Sequence, residues 1–385
     1  MPPPPVPQKH SIVSYKPRPS SRLAPLTPQE IHFYNDPEQS RRGWFSLSKK
    51  RKRSLADERD SKRSKDAESI RQHYDARPEV ERALRRESPI IGLKNFNNWI
   101  KSVLFANFCH PALELSPVVQ RPRLGAKKGS TTRGRVLDMG CGKGGDLNKW
   151  AKAHISEYVG LDVASVSIEQ ARQRYESFRG PRFDATFAAC DCYSVSISTA
   201  LDPGRLSTPF DVVSLQFCMH YAFETEERAR RMLDNVSRWL RSGGIFVGTI
   251  PNSGQLLSRL RGSPNHSFGN SVYNIRTEAP VPSDNELPKF GFRYVFWLKD
   301  AVENVPEFLV LWDDFVRLAE EYKLVLKYRK EFHDMFTEFS EHPDFGPLMT
   351  RMQVVDAQGD SKMDEEQWEA ASEFSLVPTI CVQLS

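Results

Sequence analysis

The sequence predicts an α/β fold, in which a parallel sheet carries helices on both faces. Five short apolar runs of strand length recur between residues 135 and 249, and stretches of helical length separate most of them. A glycine cluster directly follows the first run, as expected where a strand turns into a helix. Such alternation is typical of a parallel sheet, because a crossover helix returns the chain to the same edge. The predicted strands are Arg135–Asp138, Tyr158–Asp162, Thr186–Asp191, Phe210–Gln216 and Ile245–Thr249.

The other predicted elements come from helical periodicity and from glycine positions. Three helices follow the first, second and fourth strands, and Ser242 to Gly244 is interpreted as the C-terminal cap of the third helix. A glycine- and asparagine-rich region from Pro251 to about Asp284 predicts loops and an inserted subdomain. The predicted helices are Leu93–Phe108, Asp146–Ala153, Ser167–Phe178, Glu226–Arg241 and Phe308–Tyr322, and a strand-like run lies near Val377–Leu384.

The composition divides the chain into a tail and one domain. Residues 1–68 are rich in Pro, Ser, Arg and Lys and show no sustained apolar periodicity, which predicts a disordered tail. The domain is expected over 69–385, with its core sheet at about 134–250 and insertion and C-terminal elements at about 251–385. A basic block at Lys49–Arg53 is typical of a nuclear-import signal or of attraction to RNA. No run approaches the roughly 18 apolar residues of a membrane span, so we expect no membrane association.

The glycine cluster and three acidic residues predict a cofactor site. Gly140, Gly142 and Gly145 match a dinucleotide-binding spacing, so the spacing alone leaves nicotinamide and methyl-donor binding open. Asp138 favours the methyl donor, because a carboxylate repels a pyrophosphate but suits the cationic amino and sulfonium groups of S-adenosylmethionine. Asp162 and Asp191 end the next two predicted strands, where they are expected to accept hydrogen bonds from the ribose hydroxyls and the adenine amino group. The six scattered cysteines form no CxxC pair, and no metal site is expected.

Several further runs make the sequence resemble the eukaryotic mRNA cap guanine methyltransferases over roughly residues 72–345. The glycine motif belongs to many methyltransferases. Two runs are more specific, Asn95-Phe-Asn-Asn-Trp-Ile-Lys101 and Gln216-Phe with His220-Tyr-Ala-Phe-Glu224. The resemblance implies a Rossmann-like class I S-adenosylmethionine-dependent methyltransferase with a cap-binding subdomain formed by the insertion and C-terminal elements. The other matching runs lie at 88–90, 136–150, 174–175, 248–252, 272–275, 290–296 and 306–310.

The resemblance also implies a role for particular residues. Positions that hold the methyl donor are Lys101, Gly140, Asp162, Asp191, Gln216 and Tyr221, to which the glycine-loop argument adds Asp138 and Gly142. Positions that contact the cap or its triphosphate are Asn97, Asn98, Lys143, Lys149, Arg174, His220 and Glu307. Tyr294 is a candidate for stacking on a base, with core packing as the alternative. Trp99 and Phe217 are expected in the core.

The chemistry implied by this family requires no general base. The guanine N7 atom has a lone pair and no proton, so direct attack on the sulfonium methyl is possible. Glu307 is expected to accept hydrogen bonds from the guanine N–H edge and to stabilise the charge that methylation creates. His220 is expected against the base, with a satisfied buried histidine as the alternative. The alternative for Glu307 is a first-turn charge on the helix predicted after Pro306.

The sequence departs from the family pattern in two places, and it leaves two other functions open. Asp75 stands where the family usually has asparagine, and the tail from Glu373 to Ser385 lacks the family's tyrosine, so no cap role is assigned to the tail. A methyltransferase for another RNA or a small molecule, and an inactive RNA-binding protein with a damaged donor site, are the alternatives. For the main interpretation we expect capped RNA as substrate, nuclear location, a monomer, and partners in the capping or transcription machinery.

Overall fold

The computed structural model describes residues 69–76, 87–117, 132–375 and 379–384. The predicted disordered tail over residues 1–68 lies outside the described residues. The described strands form one sheet of seven and one of four. In chain order they are β1 (Arg135–Met139), β2 (Glu157–Asp162), β3 (Asp184–Ala189), β4 (Phe210–Leu215), β5 (Leu240–Thr249), β6 (Ser267–Gly269), β7 (Tyr273–Arg276), β8 (Arg293–Leu298), β9 (Val302–Phe308), β10 (Leu324–Lys330) and β11 (Thr379–Leu384).

The α-helices pack on both sheets, and none of those described is long and apolar enough to cross a bilayer. A π-helical turn, Phe105–Cys109, continues the helix that ends at Leu104, and short 3-10 turns lie at Ile197–Thr199, Met219–Glu224 and Asp284–Glu286. The α-helices are α1 (69–76), α2 (Ile91–Leu104), α3 (His110–Glu114), α4 (Leu147–Lys152), α5 (Ser165–Glu176), α6 (Pro203–Leu206), α7 (Glu226–Trp239), α8 (Ser253–Gly262), α9 (Trp312–Glu321), α10 (Phe332–Phe339), α11 (Phe345–Arg351) and α12 (Glu365–Ser375).

The seven-stranded sheet has the order β3-β2-β1-β4-β5-β11-β10. Strands β1 to β5 pair in parallel, whereas β11 is antiparallel to both of its neighbours. The strand order reverses between β1 and β4, and ligands of open α/β sheets bind in the crevice beyond the carboxyl ends at such a point. The predicted parallel α/β sheet is confirmed, and the run near Val377–Leu384 forms β11.

Helices cover both faces of this sheet because successive residues of a strand point in opposite directions. On β1, Val136 packs in one buried cluster with Trp150 of α4. The next residue, Leu137, packs in the opposite cluster with Leu233 of α7. Each fully buried side chain of this size contributes roughly 1.5–3 kcal/mol to the free energy of folding. The predicted arrangement of helices on both faces is therefore confirmed.

The four-stranded sheet is antiparallel and runs β6-β7-β8-β9. It shares a third hydrophobic cluster with α2, α8 and α10, in which Phe96, Trp99 and Phe332 are fully buried. The indole of Trp99 donates a 3.0 Å hydrogen bond to the carbonyl of Phe345. Trp99 is thus a core residue, as predicted. This packing fixes the polar face of α2 beside the crevice of the larger sheet.

Among the predicted element boundaries that differ from the structure, two change the role that the sequence gave to a residue or segment. The predicted cap at Ser242 to Gly244 lies inside β5, where Leu240 pairs with Phe210 but Ile245 already pairs with Val212. The extra residues form a bulge, and Gly243 provides the positive φ of 72° that the bulge needs. Helix α7 therefore ends at Trp239, and β5 starts five residues earlier than predicted.

The second wrong boundary concerns Glu307. The helix predicted from Phe308 begins at Trp312, and Glu307 lies on the strand β9. The alternative of a first-turn helix charge for Glu307 is therefore wrong. The apolar residues 308–311 match a helical period, but Phe308 completes the antiparallel pairing with β8 instead.

Candidate active site

A cavity of about 580 Å³ opens at the carboxyl ends of β1, β2 and β4. Its wall brings together side chains from α1, α2, the glycine turn and the loop after β4. Aromatic and apolar groups alternate there with carboxylates and amides, which is typical of a small-molecule site. The predicted site residues in its wall are Asn98, Lys101, Asp138, Gly140, Gly142, Lys143, Asp162, Arg174, Asp191, Gln216 and Tyr221.

The glycine turn exposes backbone to this cavity. Gly140 has a φ of +81°, and a Cβ atom there would lie 2.5 Å from Sγ of Cys218. Gly142 has a φ of +51°, and the space where its Cβ would lie is open, as it also is at Gly145. The N–H of Gly142 donates a 2.9 Å hydrogen bond to Asp162. The turn is therefore fixed by Asp162 and leaves space for a ligand at Gly142 and Gly145.

The carboxylates of the cavity are held differently. Asp162 accepts from the N–H of Gly142 and, at 2.9 Å, from that of Ala164, which fixes its orientation at the end of β2. Asp138 is 3% exposed and accepts a 2.9 Å hydrogen bond from the hydroxyl of Tyr158. Burial, reinforced by the nearby charge of Asp146, raises the pKa of Asp138 to about 7. A cationic ligand near Asp138 would therefore stabilise the ionised form of its carboxylate.

Asp191 lies two residues beyond β3, which ends at Ala189 and not at Asp191 as predicted. Its carboxylate accepts from the N–H of Tyr193 at 3.1 Å and pairs with Arg228 at 3.1 Å. Arg228 also lines the cavity. The arginine therefore fixes the orientation of the acid in the cavity wall.

Two lysines, one of them on α2, share one buried acid. Lys101 lies 2.8 Å and Lys149 lies 2.6 Å from Oδ1 of Asp146. Burial alone would raise the pKa of Asp146, but the two ammonium groups lower it. Lys149 also donates to Asn98 at 3.0 Å. Lys101 lines the cavity, whereas Lys149 is not among its lining residues and fixes Asn98 from α4. The predicted contact of Lys149 with the cap triphosphate stays a prediction.

A second cavity of about 160 Å³ adjoins the first. Asn97, His220 and Glu307 line it, so the structure brings these three predicted residues together. Oδ1 of Asn97 and both ring nitrogens of His220 are buried and lack a hydrogen-bond partner in the described part of the chain. Buried polar atoms are rarely left unsatisfied, so these atoms are available to a polar ligand.

Glu307 is the charged centre of the second cavity. Its Oε2 accepts a 2.8 Å hydrogen bond from Tyr294, and its Oε1 lies 3.5 Å from the hydroxyl of Tyr221 and 3.4 Å from Nε2 of His220. Burial raises the pKa of both tyrosines well above the ordinary value, so both hydroxyls keep their protons and act as donors. The hydroxyl of Tyr74 lies 3.1 Å from that of Tyr221 and extends this network.

Two aromatic residues, Tyr294 and Phe217, hold different positions relative to the cavities. Tyr294 is 1% exposed and lines neither cavity, so it packs and holds Glu307 instead of stacking on a base. Phe217 packs against the cluster of the four-stranded sheet, as expected, and it also lines both cavities. Its φ of +59° is unusual for phenylalanine, and its N–H donates to Oγ1 of Thr249 at 2.7 Å. Such local strain is concentrated at functional sites.

Tyr74, Phe217 and Tyr221 line both cavities and form a shared wall between them. The sequence indicated no role for Tyr74, although its neighbour Asp75 marks a position of the family pattern. Asp75 itself accepts a 3.0 Å hydrogen bond from the N–H of Val166 and so caps α5. The negative charge at this departure from the family pattern therefore faces a helix N-terminus.

Comparison with known proteins shows the family of the chain. The family model of the mRNA (guanine-N(7))-methyltransferase domain matches residues 57–380. An mRNA cap guanine-N(7) methyltransferase of Cryptococcus neoformans is 49% identical over 314 residues, which cover 80% of this chain and 47% of the relative. The chain thus spans about half the length of that relative.

Two further relatives match over most of their own length. The mRNA cap guanine-N(7) methyltransferase of Schizosaccharomyces pombe is 44% identical over 78% of this chain and 79% of its own. The mRNA cap guanine-N(7) methyltransferase 1 of Arabidopsis thaliana is 39% identical over 79% of each chain. With a family model that spans most of its length and relatives at these identities, the chain belongs to the mRNA (guanine-N(7))-methyltransferase domain family.

Proposed function

We propose that the chain transfers a methyl group from S-adenosylmethionine to N7 of the 5′ cap guanine of mRNA. The observation that carries this proposal is the shared wall of Tyr74, Phe217 and Tyr221, at which a donor-sized cavity adjoins a base-sized one. A donor in the first cavity and a guanine in the second would meet beside that wall, where the two cavities adjoin. We call them the donor cavity and the guanine cavity.

The residues of the donor cavity fit S-adenosylmethionine, which supplies a methyl group on a positively charged sulfur. The open space at Gly142 and Gly145 leaves room for a ligand against the backbone. The carboxylate of Asp162 is oriented towards ribose hydroxyls by two backbone N–H groups. Oε1 of Gln216 is buried without a hydrogen-bond partner among the described residues and is free to accept one. The intact set argues against an inactive protein with a damaged donor site.

The guanine cavity supplies a carboxylate that matches the base. Guanine presents two adjacent N–H donors on the edge opposite N7, and Glu307 can accept both with its two oxygens. Holding that edge on Glu307 leaves N7 directed away from the carboxylate. Methyl transfer places positive charge on the base, and a buried carboxylate fixed by Tyr294 stabilises that charge as it develops.

No group of the chain needs to accept a proton in this reaction. The role of the protein is to hold the base and the donor in line, which can supply roughly 7–11 kcal/mol of the barrier. Asn97 and His220 would satisfy their buried polar atoms on the base and so fix its orientation in the plane. Lys143 and Arg174, in the wall of the donor cavity, would neutralise the triphosphate.

The test is to incubate the protein with isotope-labelled S-adenosylmethionine and GpppN-capped RNA and to identify the labelled nucleotide after digestion. We expect label at N7 of the terminal guanosine. Glu307→Gln should lower the rate about a hundredfold, because the amide offers one acceptor where the base needs two. The matched control is Glu303→Gln, which lies exposed on the same strand and should leave the rate unchanged.

A donor-binding measurement separates the possible outcomes of this assay. Donor binding measured by calorimetry should be the same in wild type and in Glu307→Gln, because Glu307 lines only the guanine cavity. Label on another nucleotide, or no label while the donor still binds, would replace the cap guanine by another substrate. No label and no donor binding would overturn the assignment as a methyltransferase.

We also propose that the chain acts in the nucleus as a monomer, on nascent transcripts made by the capping and transcription machinery. The basic block at Lys49–Arg53 supports this location. Replacing its five basic residues by Gln in a fluorescent fusion should leave the protein in the cytoplasm, and unchanged nuclear signal would contradict the import role. Light scattering should give the 44.1 kDa of one chain.

A further inference from the structure

A charged cluster at the mouth of the donor cavity has no part in the proposed transfer. Nζ of Lys94 on α2 lies 2.9 Å from Oδ2 of Asp300, at the turn between β8 and β9. Oγ of Ser88 lies 2.8 Å from the same ammonium and donates a 2.5 Å hydrogen bond to Asp300. The side chains of Lys94 and Asp300 are 33% and 46% exposed, so solvent and ligands can reach the pair.

The pair lies where the two cavities meet. On α2, Leu93 lines the guanine cavity and the next residue, Lys94, lines the donor cavity. On the β8–β9 turn, Val302 lines the guanine cavity and Asp300 lines the donor cavity. The ion pair therefore bridges two elements along the seam between the cavities.

A guanine held on Glu307 is attached to an RNA chain, and that chain has to leave the site past this seam. The polar side of α2 borders the way out, because Lys94, Asn95 and Asn98 all line the larger cavity. An ammonium group is a compact charge with three donors, which suits a phosphodiester oxygen. Asp300 has the opposite effect, since a carboxylate repels a phosphate.

We propose that Lys94 and Asp300 form a subsite for the RNA chain beyond the cap, in which Lys94 exchanges its carboxylate partner for a phosphodiester oxygen. This inference rests on the proposed function and adds a preference for capped chains over free cap dinucleotide. Asp300 competes for Lys94 and so sets how strongly the chain is held. The contact is electrostatic and solvent-accessible, so it weakens with salt.

The test compares two substrates, the dinucleotide GpppG and a capped RNA of eight nucleotides, in methylation and in competition binding by fluorescence anisotropy. Lys94→Met should raise KM and the dissociation constant for the capped RNA about fivefold, as expected for one exposed phosphate contact, and change those for GpppG less than twofold. Its salt dependence should be shallower than that of wild type. Asp300→Asn should lower KM and the dissociation constant for the capped RNA, because it removes the carboxylate that competes for Lys94.

A purely structural ion pair predicts a different result. Both variants would then weaken GpppG and capped RNA equally, in step with a lower melting temperature, and that result would overturn the subsite. If only Lys94→Met loses affinity, and it loses as much for GpppG as for the capped RNA, then Lys94 contacts the triphosphate. That result would also overturn the subsite. Lys299→Met, an exposed lysine beside Asp300, is the control for general charge and should leave the ratio of the two substrates unchanged.

The binding assay keeps this inference separate from the proposed function. If wild type methylates neither substrate but binds the capped RNA in a Lys94-dependent way, the proposed function fails and the subsite stands. If wild type and every variant methylate both substrates equally and bind them equally, the subsite fails and the proposed function stands.

Discussion

Tyr294 and Glu307 lie directly opposite each other on the antiparallel strands β8 and β9, and the tyrosine hydroxyl donates a 2.8 Å hydrogen bond to Oε2 of the carboxylate. Cross-strand partners share one face of the sheet, so the bond is a consequence of the register. The carboxylate that is proposed to bind guanine is thus oriented by the sheet itself. Both side chains are buried, at 1% and 3% exposure.

The first prediction concerns this hydrogen bond. Tyr294→Phe keeps the ring and removes the donor, so Glu307 should lose its fixed orientation. We expect kcat/KM for capped RNA to fall about tenfold, and the free energy of unfolding to fall by about 1.5–3 kcal/mol because a bond to a buried charge is lost. Steady-state kinetics and urea unfolding measure the two effects.

The control for this prediction is Tyr273→Phe. Tyr273 is equally buried in the same sheet, and its hydroxyl contacts Glu369 at 3.3 Å, away from both cavities. That variant should lose stability without a specific loss of activity. Equal loss of kcat/KM in the two variants would show that Tyr294 acts through stability alone.

The second prediction follows from the pKa of about 7 that burial gives Asp138. A cationic donor group near Asp138 favours the ionised carboxylate, so binding should release protons. The dissociation constant for S-adenosylmethionine should therefore rise as the pH falls below about 7. Calorimetry in buffers of different ionisation enthalpy measures the proton release. Asp138→Asn should bind weakly with a flat pH profile, and a retained slope would assign the titration to another group.

The same shift predicts how stability depends on pH. The pKa of Asp138 in the folded protein is raised above the unfolded value of about 3.9, so the folded state holds the proton more tightly. Its stabilising effect is complete below pH 4 and is lost as the pH rises through 7. Asp138→Asn should therefore raise the melting temperature at pH 8 relative to wild type more than it does at pH 5. The reverse order would contradict an ionised, buried Asp138 at pH 8.

The elements that carry the site were predictable because their signals are local. The apolar runs of β1 and β2, the glycine turn and the helical period of α2 each lie within a short stretch of sequence. Spacing also indicates which residues share a face, and it brought Asn98 and Lys101 to one side of α2. The bulge in β5 was not predictable, because Gly243 reads equally well as a helix cap and as a bulge residue.

The partners of the site residues could not be predicted for a different reason. Asp146 binds Lys101 across 45 positions, and Tyr294 binds Glu307 across a strand pairing that the sequence did not reveal. Such contacts depend on how distant elements pack, not on any local pattern. Lys149 makes a further contact of this kind, because its ammonium group donates a 3.0 Å hydrogen bond to Asn98 across 51 positions.

The third prediction distinguishes two glycines of the turn. Gly140→Ala should destabilise the protein, because the residue has a φ of +81° and the new methyl group would meet Sγ of Cys218. A left-handed conformation alone costs roughly 1–2 kcal/mol for an alanine. Gly145→Ala meets open space, so it should leave the melting temperature unchanged while its methyl group, at the wall of the donor cavity, lowers donor affinity.

Thermal unfolding with and without donor separates these effects. Adding Cys218→Ala to Gly140→Ala should restore part of the lost stability, since it removes the 2.5 Å contact with Sγ but leaves the 2.9 Å contact with Cβ of residue 218 and the strained φ. Full recovery would mean that the backbone conformation costs nothing, and no recovery would mean that the sulfur contact is unimportant.

The fourth prediction concerns the helix α1, which contributes Tyr74 to the shared wall. Asp75 caps α5 through the N–H of Val166 at 3.0 Å, and so ties α1 to the glycine-turn side of the cavity. Asp75→Ala should lower the free energy of unfolding by about 1 kcal/mol, as the loss of a helix cap does. It should also weaken donor binding several-fold, because Tyr74 then loses its fixed position against Tyr221.

Asp75→Asn is the matched variant, since asparagine caps a helix as well as aspartate and keeps the acceptor oxygen. Its donor affinity should stay within twofold of wild type, which would explain why either residue can stand at this position. Tyr74→Phe should weaken donor binding less than Asp75→Ala, because its ring remains in the wall when the hydroxyl contact is lost. If Asp75→Ala lowers the melting temperature but leaves donor affinity unchanged, the contact serves only to cap α5, and α1 does not depend on it for its place over the donor cavity.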